Sequence, residues 1–320
     1  MPVFEPEEAV QNRARMEALI DSAIKRELIG KVTDVILPLN DVGFGPSFYC
    51  VHPIGGEAIE FQHMARMLGP KQNFYGIQVP TDKRNAEFAR SIEGMSRFYV
   101  NELVKFQPNG VFLLGGHSVG ATIALEMSHQ LIAMGREVSL LVVFDGQLFN
   151  TGAEISSRNP IYWLKLLLNM PRWFIDEVMK DPRGFVSTRL RFLSFKARRD
   201  TLHAMERFVN FRSYSPDHAA FVRSLHDSYL DYVPKRYGGR VLVFVAKTQP
   251  LLRLRQVDAA WKQVSPSSEV FETRGTHASI MEPPHGVPVA KRLSEKIEEV
   301  SGRTDQPSTS QWQKTRKWLF

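Results

Sequence analysis

The pentapeptide Gly116-His117-Ser118-Val119-Gly120 directly follows the apolar run Val111-Phe112-Leu113-Leu114 and precedes a helix-like stretch from Ala121 to Met134. Strand, sharp turn, helix is the order in which a G-x-S-x-G serine is lifted clear of the sheet as a nucleophile. The glycines let the backbone turn tightly, so Ser118 Oγ is expected at the carboxyl end of a strand with a helix N-terminus beneath it. Unpaired N–H groups and the helix dipole favour a developing oxyanion at that place. At average glycine and serine usage the bare pattern arises by chance in roughly one chain of this length in ten. Its flanks therefore carry the weight, and they demand a sheet of parallel strands alternating with helices.

The chain supplies that alternation. A strand over Phe48 to Val51 is followed by helix-like Ala58 to Leu68, a short strand Asn73 to Ile77, helix-like Ser91 to Phe106 and the Val111 strand. After the Ser118 helix comes a strong β run, Val138 to Phe144, ended by Asp145-Gly146. The same rhythm returns with Val241 to Val245, helix-like Gln256 to Val264, strand Glu269 to Thr273 and helix-like Val287 to Val300. Strands separated by helical crossovers predict an α/β fold with a mostly parallel central sheet flanked by helices. Upstream, the apolar run Val32 to Leu39 leads into a turn-rich segment from Asn40 to Pro46.

Between Thr151 and Tyr237 the alternation stops. That stretch is rich in Leu, Phe, Trp and Arg, is punctuated by Pro160, Pro171, Pro182 and Pro216, and shows no convincing strand. It predicts a helical lid inserted over the carboxyl edge of the sheet. The expected organisation is an amphipathic leader helix and linker over 1–36, a core over 37–150 and 238–300, the lid over 151–237, and a disordered polar tail over 301–320. The formal charge is +7, and between Arg172 and Arg212 ten Lys or Arg stand against five Asp or Glu. Such a segment is either a solvated face or a docking surface for an acidic partner. Its basic residues alternate with long apolar stretches and match no nucleic-acid reader motif, so no nucleic-acid partner is expected.

With 320 residues, 43% of them hydrophobic, the chain can fill a sizeable core. The single cysteine, Cys50, lies in the apolar run Phe48 to Val51 and reads as a buried inert thiol, with no disulfide and no cysteine-based metal cluster. The N-terminus has neither a basic nor an apolar signal region, and no apolar run approaches the ~20 residues of a membrane span. A cytoplasmic protein without integral membrane association, metal or cofactor of its own is expected.

A serine alkoxide is not accessible at neutral pH without a base, and the base needs a carboxylate to hold its tautomer. His277, in Thr273-Arg274-Gly275-Thr276-His277, lies between the last strand and the last helix, where the order Ser, acid, His places a base. His285 is close by, but it follows Pro283 and Pro284 at a helix entrance and is the weaker candidate. His117 adjoins the serine and is expected to point away from it. For the acid, Asp145 ends its strand abruptly at a glycine, a geometry that holds a carboxylate over the sheet edge. Asp258 lies inside a helix-like stretch and reads as a surface charge. One oxyanion donor is Val119 N–H, and the other is expected from Val51-His52-Pro53-Ile54-Gly55-Gly56, with Ile54 N–H the natural choice.

Together, Phe48 to Gly56, Gly115 to Gly120, Phe144-Asp145-Gly146 and Gly275-Thr276-His277 resemble the type I thioesterase family of nonribosomal peptide and polyketide synthases, within the α/β-hydrolase superfamily. The likeness covers roughly residues 37–300; Arg240 to Leu251, Asp258 and Trp261 also look like the family's pattern before its last strand. The resemblance implies an α/β-hydrolase fold, a Ser118, Asp145 and His277 triad, and an oxyanion hole from Ile54 and Val119. It also implies a reaction: an acyl or peptidyl chain passes from the 4'-phosphopantetheine thiol of a carrier protein or synthase to Ser118. Hydrolysis or cyclisation then releases it. A chain beginning at Met1 without a carrier domain would be a free-standing member or an excised piece. Two other readings stand beside this one: a carboxylesterase or lipase acting on oxygen esters, and a non-catalytic hydrolase-like protein that only docks a carrier.

Overall fold

A computed structural model describes residues 33–40, 46–69, 72–151, 160–175, 215–249 and 256–304. Within them the strands are β1 (Ile36–Asn40), β2 (Ser47–Val51), β3 (Asn73–Ile77), β4 (Phe112–His117), β5 (Val138–Phe144), β6 (Val241–Ala246) and β7 (Glu269–Thr273). The helices are α1 (Gln62–Leu68), α2 (Ile92–Phe106), α3 (Val119–Ala133), α4 (Pro160–Trp173), α5 (Pro216–Asp231), α6 (Val257–Val264) and α7 (Gly286–Thr304).

All seven strands join one sheet in the order β1-β3-β2-β4-β5-β6-β7. From β3 to β7 every pairing is parallel. Period-2 alternation divides each strand between two cores. Tyr49 and Val51 of β2 and Leu141 and Val143 of β5 enter one core, while Phe48, Cys50, Leu140, Val142 and Phe144 enter the other. The first core is closed by Tyr99 and Leu103 of α2, the buried side of α3, Phe221 of α5 and Trp261 of α6. The second is closed by Met64 and Ala65 of α1 and by Val289, Leu293 and Ile297 of α7. Burial on both faces explains why β5 is apolar along nearly its whole length rather than alternating with polar residues.

The second half of the run Val32 to Leu39, with Asn40, supplies the edge strand β1, whose antiparallel pairing with β3 places Ile36 opposite Ile77. The short link from Asn40 to Ser47 accounts for its direction, because a parallel return needs a crossover of about a dozen residues. Local caps mark the ends of other elements: Ser91 Oγ accepts the Gly94 N–H at the start of α2, and Ser215 Oγ accepts the His218 N–H ahead of Pro216 in α5. At the far end α7 runs to Thr304, past the Val300 boundary that the sequence pattern suggests.

The described parts of the expected insertion hold two helices, α4 and α5, and no strand; residues 232–237 return to β6 without regular structure. Asn169 of α4 forms a reciprocal pair with the chain after β6, donating from Nδ2 to Gln249 O at 2.7 Å and accepting the Gln249 N–H on Oδ1 at 2.9 Å. The expected leader helix, most of the basic segment between Arg172 and Arg212 and the tail beyond Thr304 lie outside the described residues. Among the described residues no helix is long and apolar enough to cross a membrane.

Trp261 joins the packing of α6 to the chain after β5: it is fully buried and its indole N–H donates to Gly146 O at 2.7 Å. Trp261→Phe, which keeps a ring but strands that carbonyl, is expected to cost about 1–3 kcal/mol. Trp261→Ala, which also leaves a cavity, is expected to cost about 3–5 kcal/mol. Urea unfolding of both variants reads the order; native stability in Trp261→Phe would show that the hydrogen bond contributes nothing, and equal losses in the two variants that the ring's packing adds nothing beyond it.

Candidate active site

Ser118 sits between β4 and α3 with φ 58° and ψ −125°, a conformation that non-glycine residues rarely adopt. It is the N-cap residue of α3, yet its side chain makes no capping bond. The turn is held open by missing side chains. A Cβ on Gly116 would lie 2.1 Å from the Gly120 carbonyl carbon, and one on Gly120 would lie 2.3 Å from Val51 O. Gly146 is equally confined, 2.4 Å from Ala121 Cβ by the same measure. The Ser118 N–H continues the sheet register by donating to Phe144 O at 3.1 Å.

Asp145 follows β5 immediately, with φ 49° and 1% exposure. Its N–H donates to Phe244 O at 2.8 Å, and its Oδ1 accepts the Ala246 N–H at 2.9 Å. Its Oδ2 lies 2.8 Å from His277 Nδ1. A carboxylate can only accept, so Nδ1 carries the hydrogen, and in the neutral ring Nε2 keeps its lone pair. The His277 loop is built by a positive φ at Gly275 and a Thr276–Ser279 turn, in which Ser279 Oγ accepts the Thr276 N–H at 3.0 Å. Thr248 N–H donates to Gly275 O and ties that loop to the end of β6.

The other candidates fall elsewhere. Asp258 is exposed in the first turn of α6. His285 Nδ1 lies 3.0 Å from Ser279 Oγ, within the turn that shapes the His277 loop. Cys50 is fully buried, and burial pushes its thiol pKa well up. Among the described residues no three His, Cys, Asp or Glu side chains converge as a metal-binding set.

Ile54 lies in a turn closed by the Gly56 N–H donating to Pro53 O at 3.0 Å, with φ 86° at Gly56, and Val119 is the first residue of α3. Beneath the turn, His52 is fully buried, its Nδ1 2.6 Å from Pro53 O and its Nε2 2.8 Å from Tyr99 Oη. From α5, His218 Nε2 donates to Gly55 O at 2.8 Å, and the Phe221 ring fills the space beside Gly56. Sequence reasoning sets both histidines aside as structural or surface residues, with no role at the site. His52 has a weak signal in its adjacency to the Gly-Gly turn. His218 has none, because its partner lies 163 residues away.

The sequence profile of the thioesterase domain family matches residues 46–297. Among curated proteins, a dimodular nonribosomal peptide synthase of Bacillus subtilis (strain 168) is 34% identical over 112 residues, which is 35% of this chain and 5% of that one. Enterobactin synthase component F of Escherichia coli (strain K12) is 33% identical over 112 residues, covering 35% of this chain and 9% of that protein. Atromentin synthetase invA5 of Paxillus involutus is 28% identical over 178 residues, covering 55% and 18%. Each match thus spans a small part of a much longer relative. In structure the fold is similar to the NocB thioesterase domain from the nocardicin cluster, with TM-score 0.52 and 22% identity over 82% of this chain and 98% of that one. It is also similar to part of a four-domain nonribosomal peptide synthetase, with TM-score 0.55 and 22% identity over 86% of this chain and 21% of that one.

Desolvation of the buried ring lowers the His52 pKa to about 4, against an ordinary value of about 6.5. Between those values the unfolded chain binds more protons, so stability falls as pH falls. From pH 7 to pH 4 the loss from His52 is about 3 kcal/mol, full only below pH 4. His218 and His129, also lowered by burial, act in the same direction. His52→Gln is expected to flatten the stability profile between pH 6.5 and 4 in urea unfolding; an unchanged slope would place the acid lability at other groups.

Proposed function

Because this chain belongs to the thioesterase domain family, we propose that it is a serine thioesterase that releases an acyl, polyketide or peptidyl chain from a carrier-bound 4'-phosphopantetheine thioester. The observation that carries this reading is the 2.8 Å bond between His277 Nδ1 and the buried Asp145 carboxylate, on the sheet edge where Ser118 forms its strained turn. Asp145 holds the tautomer that leaves Nε2 able to take the Ser118 hydroxyl proton. The alkoxide then attacks the thioester carbonyl, and the N–H groups of Val119 and Ile54 receive the oxyanion. A donor of that kind is worth about 10²–10³ in rate.

Collapse of the tetrahedral intermediate breaks the C–S bond, and the imidazolium returns its proton to the departing pantetheine sulfur. The acyl group is left as an ester on Ser118. Water, or an internal amine or hydroxyl, gives its proton to His277 and attacks that ester. The product leaves as acid or ring and the proton returns to Ser118 Oγ. Phosphopantetheine enters here as part of the substrate. The relatives' names, all synthases or synthetases, support a carrier domain as partner. The basic segment between Arg172 and Arg212 suits the acidic surface such a partner would present.

Intact-mass spectrometry after incubation with an acyl-pantetheine thioester should show an acyl adduct on the native protein and none on Ser118→Ala. An adduct on the alanine variant would overturn the nucleophile, and failure of a fluorophosphonate to label Ser118 in the native protein would favour a docking protein without catalysis. Asp145→Asn is expected to lower kcat by about four orders of magnitude. Asp258→Asn should change kcat by less than about twofold. A p-nitrophenyl ester of equal chain length turned over faster than the thioester would favour an esterase.

The carrier is tested separately. Arg198→Glu with Arg199→Glu should raise KM for carrier-bound substrate, increasingly at low salt, and spare a small pantetheine thioester. Equal effects on both substrates would remove this segment from carrier docking.

A further inference from the structure

We propose that His117, the residue preceding Ser118, is a positioning residue that holds His277 in its working orientation. The inference rests on the reading of His277 as the base. His117 ends β4 and shares a strand face with Leu113, on the side of the sheet where Ile280 and Met281 of the His277 loop also pack. Ser118 escapes that alternation through its positive φ, so the two neighbours diverge. His117 therefore points to the base rather than away from the site altogether.

Two contacts define what it does there. His117 Nε2 lies 2.9 Å from the His277 carbonyl oxygen, and since a carbonyl only accepts, Nε2 carries the hydrogen and donates. The two rings are in tilted contact, with centroids 4.7 Å apart and planes 32° from parallel. The hydrogen bond fixes the backbone of the loop at the residue that must act. The ring contact limits what the bond to Asp145 leaves open: one N–H···O bond at Nδ1 permits the imidazole to pivot about that axis, and a second ring packed against it restricts the pivot. His277 is thus held at Nδ1 by Asp145, at its ring by contact with the His117 ring and at its backbone by His117 Nε2.

A misplacement of about 1 Å at a reacting group costs up to about 10²-fold in rate. Removing the constraint should therefore appear in kcat rather than in substrate binding. Three variants separate its parts: His117→Ala removes ring and donor, His117→Phe keeps a ring, and His117→Gln keeps an amide that can reach the same carbonyl. With a small acyl-pantetheine thioester, His117→Ala is expected to lower kcat about tenfold or more while KM stays within about twofold. His117→Gln and His117→Phe should each recover part of that loss. The low-field proton resonance of the His277 Nδ1–H should shift or broaden in His117→Ala and return toward its native position in His117→Gln.

Native kcat and an unshifted resonance in His117→Ala would overturn the proposal. So would a kcat loss that matches only the unfolded fraction found by thermal melting of the same sample. His277→Ala is run beside them. If it keeps native activity, the base assignment fails and this proposal with it; if it is inactive while His117→Ala is native, only the role of His117 fails.

Discussion

The strand β4 can reach α3 only because three positions lack side chains. A methyl group at Gly116 would sit 2.1 Å from the backbone at Gly120, one at Gly120 would sit 2.3 Å from Val51 O, and one at Gly146 would meet Ala121. Those approaches draw the ends of β2, β4 and β5 around the start of α3. They also force Ser118 into a positive φ that serine does not favour, a strain of order 1–3 kcal/mol that the surrounding sheet must hold. Every other part of the candidate site is placed relative to this turn.

The second requirement is a carboxylate that stays oriented although it is removed from water. Asp145 meets it by accepting on both oxygens, from the Ala246 N–H and from His277 Nδ1, while its own N–H completes the bond to Phe244. A buried charge left without partners would be costly. Here the neighbouring strand supplies one of them. The pair His277 and Asp145 is thereby anchored to β5, β6 and the loop after β7 together.

Around this pair the chain uses histidine as a fastener for loops. His52 bonds Pro53 O beneath the turn that carries Ile54, His218 reaches from α5 to Gly55 O, and His117 reaches the His277 carbonyl. A ring N–H aimed at a carbonyl satisfies a backbone acceptor that the irregular loops cannot pair within the sheet. In the cases of His52 and His218, burial lowers the pKa and favours the neutral ring. The return helix α5 is thus coupled to the turn that carries Ile54.

Much of this was legible in the residues. The alternation of apolar runs and helix-like stretches gave the order of strands and helices from β2 to α7, because period and apolar face are local properties that a few neighbouring residues settle. The placement of Asp145 at an abrupt Asp-Gly strand end, and of His277 in the last strand-to-helix loop, follows from position along the chain alone. What the sequence left open is decided by contacts between distant residues. The antiparallel β1 beside β3, the Asn169 tie to Gln249, the reach of His218 to Gly55 and the turn of His117 toward His277 each join segments that no local pattern links. The amino-acid sequence by itself determined which side chains stand at the ends of strands. Only the tertiary structure decided which of them meet, because hydrogen bonds of 2.8–2.9 Å depend on the sheet order and twist that bring separate loops to one edge.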